Sequence, residues 1–440
     1  MRRTFCDGIK RRSFLRVGAA SVFGLGVNLS DICQLQAFAD SPRNDLSFIY
    51  VFLKGGLSTI DTFDLKPNAP TDIRGSFNPI PTSLPGFQVC EHLPRTAQQV
   101  DKFSVIRSFT HPNSNHGQAD HYMLTGRLPG AGFNGGLTPN NQYPSFGSTI
   151  SQQLGPRGPI SPYLCLPSMH ASAGAAYLGA NAAPFVINAD PNSPGFSVPD
   201  LVAPPSFKVD RLEARQNLLK RVDRFQKSAE VEANANAQTV NVFRQKAVDL
   251  MTSPIAKQAF DIHKEPNKLR DLYGRSTLGQ SCLMARRLVE AGVRCVTVDH
   301  SNWDTHYDNF NLLEEHLLPD FDAAIPSLFA DLHDRGMLEK TLVIVTGEFG
   351  RTPRINKDAG RDHWGPCFSV LLGGGGIQGG RVLGQSDKWA ERPADSPYGP
   401  EDLAATLFNQ MGINPKEEFR TAEGRPVAIV NGGRVIRDLL

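Results

Sequence analysis

The sequence predicts an α/β protein, a three-layer sandwich with a mostly parallel central sheet and helices on both faces. Short apolar runs such as Ser47–Leu53 are typical of strands that are buried on both faces. These runs alternate with amphipathic segments of helical period, and the order strand, helix, strand favours parallel pairing. With 440 residues, of which 40% are hydrophobic and 20% charged, the chain is long enough to bury a large core.

The individual elements follow from local patterns. Strands are predicted at Ser47–Leu53, Phe103–Ile106, Val293–Asp299, Thr341–Thr346 and Cys367–Leu372. Helices are predicted at Gly117–Thr125, Ser276–Ala291, Phe310–Asp334 and Glu401–Met411. Pro319 and Pro326 are expected to kink or divide the long helix. Loops are predicted at 126–147 and 190–205, and one or two amphipathic helices at 209–251.

The first 39 residues are predicted to be a cleaved export signal. Arg11 and Arg12 precede an apolar run, Val17–Val27, that is too short to span a bilayer, and Ala37-Phe38-Ala39 suits a signal peptidase. The arginine pair resembles a twin-arginine (Tat) signal, which implies the Tat translocase as a partner and cleavage before Asp40. We therefore expect a periplasmic or extracellular location. The alternative is a basic N-terminal helix of the fold.

This signal changes what the charge of the chain implies. The chain has 46 basic and 44 acidic residues and a net charge of +2, but residues 1–39 hold six basic and two acidic side chains, so the remainder carries −2. A near-neutral protein is not expected to bind nucleic acid. No later stretch reaches about 18 uninterrupted apolar residues, so no stable membrane span is expected. Residues 40–440 are predicted to form one domain, with a loop and helical insertion at 189–275.

The cysteines do not indicate a metal ribbon or a disulfide framework. The chain has 7 Cys, and five of them follow the predicted signal. Five is an odd number, so at least one thiol is expected to be free, and their spacings resemble no zinc ribbon. We interpret them as small, buried apolar residues.

Candidate metal ligands follow two of the predicted strands. Asp304 and His306 come after the strand at 293–299, and Glu348 comes directly after the strand at 341–346. Because ligands of parallel sheets bind beyond the carboxyl ends of the strands, we expect these side chains to lie close together. Imidazole nitrogen and carboxylate oxygen are ligands of zinc, manganese and similar divalent ions. The sequence therefore predicts a divalent metal site at this edge.

A later loop adds Asp362 and His363 to this set. Each group also has a structural interpretation. Asp304 and His306 could cap a loop, Glu348 could pair with Arg351 in a surface turn, and Asp362 could pair with His363. A metal site and these structural roles both remain open at the level of the residues.

Two further groups are weaker candidates. His111, His116 and His121 fall within eleven residues, and for His111 and His121 a structural role is favoured. His116 precedes a predicted helix, whose N-terminus disfavours a charged imidazole, so a neutral His116 could ligate a metal or act as a nucleophile. In the loop that begins at Gly55, Asp61 or Asp64 could reach a metal, or could cap a tight turn.

Four segments together resemble the family known as domain of unknown function 1501, within the alkaline phosphatase/sulfatase superfamily. The segments are Gly55–Asp64, Trp303–His306, Gly347–Pro353 and Gly360–Trp364. The resemblance covers nearly all of residues 45–440 and implies an alkaline phosphatase-like fold. Residues 116–127 are also similar to the sulfatase stretch in which a nucleophile opens a helix that ends in Leu-Thr-Gly-Arg.

The resemblance implies roles for individual residues. Those that would hold a zinc, manganese or calcium ion are Asp304, His306, Glu348 and His363, with Asp61 and His121 as further candidates. His116 falls at the nucleophile position and would act as nucleophile or base, with Ser114 close to it. Arg351 or Arg127 would bind the phosphate or sulfate group, since a guanidinium suits a bidentate contact.

Three positions depart from the pattern of the superfamily. Lys54 stands near the position of a metal-binding Asp, Phe349 stands where a His ligand is usual, and His116 replaces a hydroxyl or thiol nucleophile. The resemblance implies an exported metal-dependent hydrolase-like protein that acts on phosphate or sulfate esters, either anionic small molecules or sulfated or phosphorylated polysaccharides. The alternative is a catalytically inactive exported binding or assembly protein of the same fold.

Overall fold

A central sheet of eight strands runs through the part of the chain that the structure, a computed structural model, describes: residues 45–139, 142–198 and 252–440. In chain order the strands are β1 (Ser47–Leu53), β2 (Ser104–Phe109), β3 (Tyr163–Leu166), β4 (Phe185–Val186), β5 (Cys295–His300), β6 (Thr341–Thr346), β7 (Phe368–Gly373) and β8 (Val382–Leu383). Across the sheet their order is β8-β2-β7-β6-β1-β5-β3-β4.

The sheet is parallel except for β7, which runs antiparallel to both of its neighbours, β2 and β6. β1 lies in the middle, parallel to β5 on one side and to β6 on the other. In this register Phe52 of β1 lies opposite Asp299 and Thr346, so the three strands reach the same edge together. The predicted α/β class and mostly parallel sheet are confirmed.

Helices and short strands surround this sheet. The α-helices are α1 (Thr71–Arg74), α2 (Pro94–Gln98), α3 (His116–Thr125), α4 (Phe146–Leu154), α5 (Pro254–Phe260), α6 (Asn267–Leu272), α7 (Thr277–Glu290), α8 (Asn309–Leu312), α9 (Leu318–Asp334) and α10 (Pro400–Gln410). Among the described residues, four small two-stranded sheets pair Pro79–Pro81 with Gln88–Cys90, Gly350–Arg351 with His363–Trp364, Gln385–Ser386 with Pro393–Asp395, and Glu418–Arg420 with Pro426–Ala428.

Hydrophobic side chains fill both faces of the sheet, which makes the three layers. On β1, Ile49 and Val51 belong to a core that includes residues of α7 and α9. Phe48, Tyr50 and Phe52 belong to a second core that includes residues of α3, α4 and α10. Because alternate residues of a strand point to opposite faces, one continuous apolar run supplies both cores.

Most predicted elements are confirmed, with small shifts at their ends. The strand predicted at Thr341–Thr346 has these bounds in the structure. α7 begins one residue later than predicted, because the Ser276 hydroxyl accepts a hydrogen bond from the Gly279 amide and caps the helix. β3 and α4 were not predicted: β3 has only four residues, and α4 is rich in Ser and Gln.

The long helix predicted at 310–334 is divided, as expected. α8 is followed by a π-helical turn at Leu313–Leu317, and α9 then begins with Pro319 in its first turn. The backbone stays helical there, and the amide that Pro319 lacks coincides with the wider hydrogen-bond register of the π-helical turn just before it. Pro326, by contrast, lies inside α9 and does not end it.

Some predictions fall outside the described residues, namely the export signal at 1–39, the helices at 209–251 and part of the loop at 190–205. Residues 45–440 form one compact unit. Among the described residues, no helix has both the length and the apolar character that a membrane span needs. The five described cysteines are buried, as expected, and none of them forms a disulfide; they are Cys90, Cys165, Cys282, Cys295 and Cys367.

A buried ion pair joins the loop after β1 to a loop that lies 300 residues later in the chain. Both Asp61 carboxylate oxygens accept hydrogen bonds from the Arg361 guanidinium at 2.8 Å, and the two side chains are 1% and 0% exposed. Ser58 and Asn309 donate to the same carboxylate, at 2.6 and 3.0 Å. The carboxylate of Asp61 is thus fully engaged within the protein.

We expect Arg361→Met to lower the free energy of unfolding by about 3–5 kcal/mol, because it leaves the buried Asp61 charge without its cation. Urea-induced unfolding followed by circular dichroism measures this change. Arg275→Met is the control, since Arg275 pairs with Asp271 at the surface and such pairs contribute at most about 1 kcal/mol. Equal losses in the two variants would contradict the structural role of the buried pair.

Candidate metal centre

The predicted site residues come together because their loops leave one edge of the sheet. The loop after β5 carries Asp304 and His306, and the loop after β6 carries Glu348. The small sheet that pairs Gly350–Arg351 with His363–Trp364 brings His363 to the same place. His116 arrives as the first residue of α3, which follows β2.

Three ligand-type atoms form a triangle at this edge. The Nε2 atoms of His306 and His363 are 2.9 Å apart. The Oδ1 atom of Asp304 lies 3.1 Å from the first and 3.0 Å from the second. Two imidazoles and a carboxylate arranged in this way are a typical donor set for zinc or another divalent ion.

The outer nitrogens of the two imidazoles determine where their protons lie. His306 Nδ1 is 2.7 Å from a carboxylate oxygen of Asp362, and His363 Nδ1 is 3.0 Å from the carbonyl oxygen of Ser114. Both partners are acceptors, so each Nδ1 carries a proton and donates it. The Nε2 atoms of neutral rings then present lone pairs to each other and to Asp304. A proton on one Nε2 would relieve the repulsion between these lone pairs in part, and a divalent ion would satisfy all three donors, so the residues fit a metal ion.

Arg351 fixes Asp304 in this arrangement. Burial disfavours the charged form of Asp304, but the ion pair with Arg351 outweighs burial and lowers the pKa of this carboxyl to about 2. The Arg351 side chain is itself buried and donates to the carbonyl oxygens of Gly55, Gly56, Trp303 and Arg361. All three of its nitrogens are therefore engaged with protein oxygens. Glu348 does not form the surface pair with Arg351 that was one interpretation of the sequence.

Glu348 instead binds His116. Its carboxylate is 0% exposed and lies 2.6 Å from His116 Nδ1, and the Gly55 amide donates to both carboxylate oxygens at 2.9 and 3.0 Å. Burial raises the pKa of Glu348. On the opposite side of the ring, His116 Nε2 lies 3.2 Å from Asp304 Oδ2. His116 thus connects the buried carboxylate to the metal ligands.

The contact with Glu348 opposes the neutral state of His116 that the helix N-terminus favours. The hydrogen bond to Glu348 raises the pKa of His116, against a smaller opposing effect of burial. The N-terminus of α3 acts in the other direction, but its partial charge is weaker than a full carboxylate charge in direct contact.

Asp120 is a member of the cluster that the sequence analysis missed. It lies one helical turn after His116, and a carboxylate oxygen of Asp120 is within 4.8 Å of ligand atoms of His116 and Glu348. One Asp120 oxygen lies 3.2 Å from His170 Nε2, while Oδ1 is buried without a hydrogen-bond partner. Burial lowers the pKa of His170, but Asp120 outweighs it, so the net shift is upward. The spacing i, i+4 on one helix could have indicated Asp120.

Other candidate residues lie outside the triangle. Asp61 pairs with Arg361, as described above. His121 is fully buried, with neither ring nitrogen hydrogen-bonded, and burial lowers its pKa to about 4. Arg127 follows the far end of α3, donates to the Ala428 carbonyl and lies over the Tyr143 ring. No hydrogen bond or ion pair joins these three residues to Asp304, His306 or His363.

Three neighbouring residues support the cluster without contributing a ligand atom to it. Ser114 contacts His363 through its carbonyl, and its hydroxyl accepts from the Gly365 amide at 3.0 Å. His111 Nε2 lies 2.6 Å from the Glu348 carbonyl oxygen, which supports the structural interpretation of His111. Phe349 stacks on His363, with ring centroids 4.5 Å apart, and so forms an apolar wall of the site.

The solved structures that are similar to this chain are distant from it. The lipoteichoic acid synthase LtaP from Listeria monocytogenes is 9% identical, with a TM-score of 0.39, 94% of this chain covered and 80% of that one. The PsFucS1 sulfatase from Pseudoalteromonas sp. is 14% identical, with a TM-score of 0.39, and the match covers 86% of this chain and 72% of that one. A protein in the alkaline phosphatase superfamily from Vibrio parahaemolyticus is 10% identical, with a TM-score of 0.38, and the match covers 84% of this chain and 66% of that one. Similarities this low carry no argument about activity.

Sequence comparison identifies the family. No curated protein matches the chain. A family model described as "Protein of unknown function (DUF1501)" matches residues 45–440, which include every residue of the candidate metal centre. This span covers the whole described structure, and the predicted resemblance to this family is confirmed. The chain belongs to the DUF1501 family.

Proposed function

We propose that the chain is an exported, metal-dependent hydrolase of phosphate or sulfate esters. The observation that carries the proposal is the convergence of His306 Nε2, His363 Nε2 and Asp304 Oδ1 while both Nδ1 protons are donated elsewhere. A divalent ion would satisfy all three of these donors at once. The export part of the proposal rests on the arginine pair and apolar run before residue 40.

Asp304, His306 and His363 would hold the ion, and Asp362 would orient His306 through its Nδ1–H. A divalent ion in such a site polarises the anionic oxygens of an ester and lowers the pKa of a bound water to roughly 7. Asp304 and His306 are 41% and 37% exposed in their side chains, so substrate can approach from their side. An anionic small molecule or a sulfated or phosphorylated polysaccharide suits this chemistry.

His116 is the group best situated to act on the ester. Glu348 holds its Nδ1, and its Nε2 faces the ligands of the ion. The side chain is 33% exposed, so Nε2 can reach substrate. As a base, Nε2 would accept a proton from the attacking water. As a nucleophile, Nε2 would form a bond to phosphorus or sulfur while the bond to the ester oxygen breaks and the alcohol leaves, and water would then hydrolyse the resulting P–N or S–N bond.

The two arginines differ in what they can do. Arg351 is buried and engaged by protein oxygens, so we propose that it positions Asp304 rather than binding substrate. Arg127 lies beyond the opposite end of α3 from His116 and donates to Ala428. A role for Arg127 in binding the phosphate or sulfate group would require a substrate that extends along this helix.

The purified protein is expected to contain a divalent ion and to hydrolyse at least one member of a panel of phosphate and sulfate esters. His363→Ala should lose this ion and at least 100-fold in kcat/KM, because it removes one of the three convergent ligands. Metal analysis and steady-state kinetics measure both. His333→Ala, at an exposed histidine of α9, is the matched control. Metal without turnover on any ester would favour the catalytically inactive binding protein.

Asp362→Asn should weaken metal binding by about 10- to 100-fold, because an amide oxygen is a poorer acceptor for the His306 Nδ1–H than a carboxylate. Competition with a chromogenic chelator measures the affinity. Asp358→Asn, an exposed substitution in the same loop, should leave it unchanged. Equal metal affinities in the parent protein and in Asp362→Asn would contradict the orienting role of Asp362.

A further inference from the structure

The loops that supply the two histidines of the metal triangle are joined to each other along their backbones. Tyr307 and Ala359 form an antiparallel bridge between the two loops. Beside this bridge, the Arg361 amide donates to the Thr305 carbonyl oxygen at 3.0 Å. Thr305 and Tyr307 are the chain neighbours of His306, so these contacts hold the backbone on both sides of this ligand.

Gly360 lies where the two loops come closest. A Cβ atom at this position would be 1.9 Å from the His306 carbonyl oxygen and 2.4 Å from the Tyr307 nitrogen. Cβ contacts under 3.0 Å essentially never occur, so no side chain fits here unless the loops separate. The backbone of His306 is therefore packed directly against the loop that carries the other histidine.

Asn356 uses all of its polar groups at this junction. Its Oδ1 accepts hydrogen bonds from the amides of Asp358 and Gly360, both at 2.9 Å. Its Nδ2 donates to the His306 carbonyl oxygen at 2.8 Å and to Asp362 Oδ1 at 3.2 Å. The oxygen of the side chain thus orders its own loop, while the nitrogen reaches His306 and the carboxylate beside it.

The two acceptors of Asn356 Nδ2 are the two groups that determine how the His306 imidazole is oriented. Asp362 Oδ1 is also the oxygen that lies 2.7 Å from His306 Nδ1. Asn356 therefore holds the residue at its backbone and holds the acceptor of its ring. A side-chain amide suits this role, because it offers two donors and an acceptor, whereas a carboxylate has no donor and a hydroxyl has only one.

We propose that Asn356 is a positioning residue of the metal centre, which orients the His306 imidazole through its backbone carbonyl and through Asp362. None of the hydrogen bonds of Asn356 goes to a ligand atom of the triangle, so its effect is indirect. The inference rests on the proposed function, which supplies the ion that the oriented imidazole would bind.

Asn356→Ala should bind zinc about 10- to 100-fold more weakly than the parent protein, because an outer contact of a ligand is lost while the ligand itself remains. Competition with a chromogenic chelator measures the affinity of the full chain. Asn414→Ala is the matched control and should keep the affinity of the parent. Asn414 is exposed, and its Oδ1 likewise accepts from the amide two residues later, that of Lys416, at 3.0 Å.

Cobalt(II) in place of zinc separates a positioning role from a purely structural one, because its visible absorption depends on the number and arrangement of its ligands. Folded Asn356→Ala saturated with cobalt should show altered band positions and intensities, and Asn414→Ala should show the spectrum of the parent. Circular dichroism verifies that the variants are folded. Asn356→Ser is a milder variant with the same expected change, since serine can form a similar turn but offers one donor in place of two.

The failure of this inference is distinguishable from failure of the proposed function. A parent protein that binds zinc and cobalt, with the same cobalt spectrum or the same zinc affinity in Asn356→Ala, overturns the role of Asn356 and leaves the metal centre. A parent protein that binds neither ion overturns both, because there is then no centre to position.

Discussion

The candidate site depends on one buried guanidinium. Arg351 donates to the carbonyls of Gly55, Trp303 and Arg361 and to the carboxylate of Asp304. Through these contacts it joins the loops that follow three neighbouring strands of the sheet. The planar fork of arginine can satisfy several acceptors at once, which a lysine ammonium at the end of a flexible chain would do less well. The position of Asp304, and hence the metal triangle, follows from this cation.

The sequence predicts the parts of this arrangement that depend on local pattern. The apolar runs of β1, β5 and β6 identify the parallel sheet, and the fold class then places Asp304, His306 and Glu348 at one edge. The sequence does not predict which carboxylates are paired with a cation of the protein itself. Asp61 is paired by Arg361, which lies 300 positions away in the chain, and no local pattern reveals such a partner. Asp120 differs, because its i, i+4 spacing from His116 was visible in the sequence, whereas its contact with His170 from a distant loop was not.

The pKa of His116 depends on two opposing effects, the N-terminus of its own helix and the tertiary contact with Glu348, and their magnitudes decide the outcome. A helix N-terminus alters the stability of a charged group by roughly 0.3–1 kcal/mol near the surface. A hydrogen bond to a charged group contributes about 1.5–3 kcal/mol. His116 experiences both, because it opens α3 and contacts Glu348 at 2.6 Å. The tertiary contact is the larger, so the pKa of His116 rises although its position in the helix alone would lower it.

The residues of the cluster differ in their burial, so exposed groups and buried groups have different roles. Asp304 is 41% exposed, His116 33% and Glu348 0%, so burial increases from Asp304 through His116 to Glu348. In the proposed function, substrate would reach the outer groups. The inner carboxylates gain strong electrostatic interactions from burial, but they must be compensated by a proton or an ion. Whichever of these occupies the inner side of His116 fixes the state of Nε2 on the outer side. In the proposed function, the buried carboxylates would therefore set the state of the group that acts on the ester.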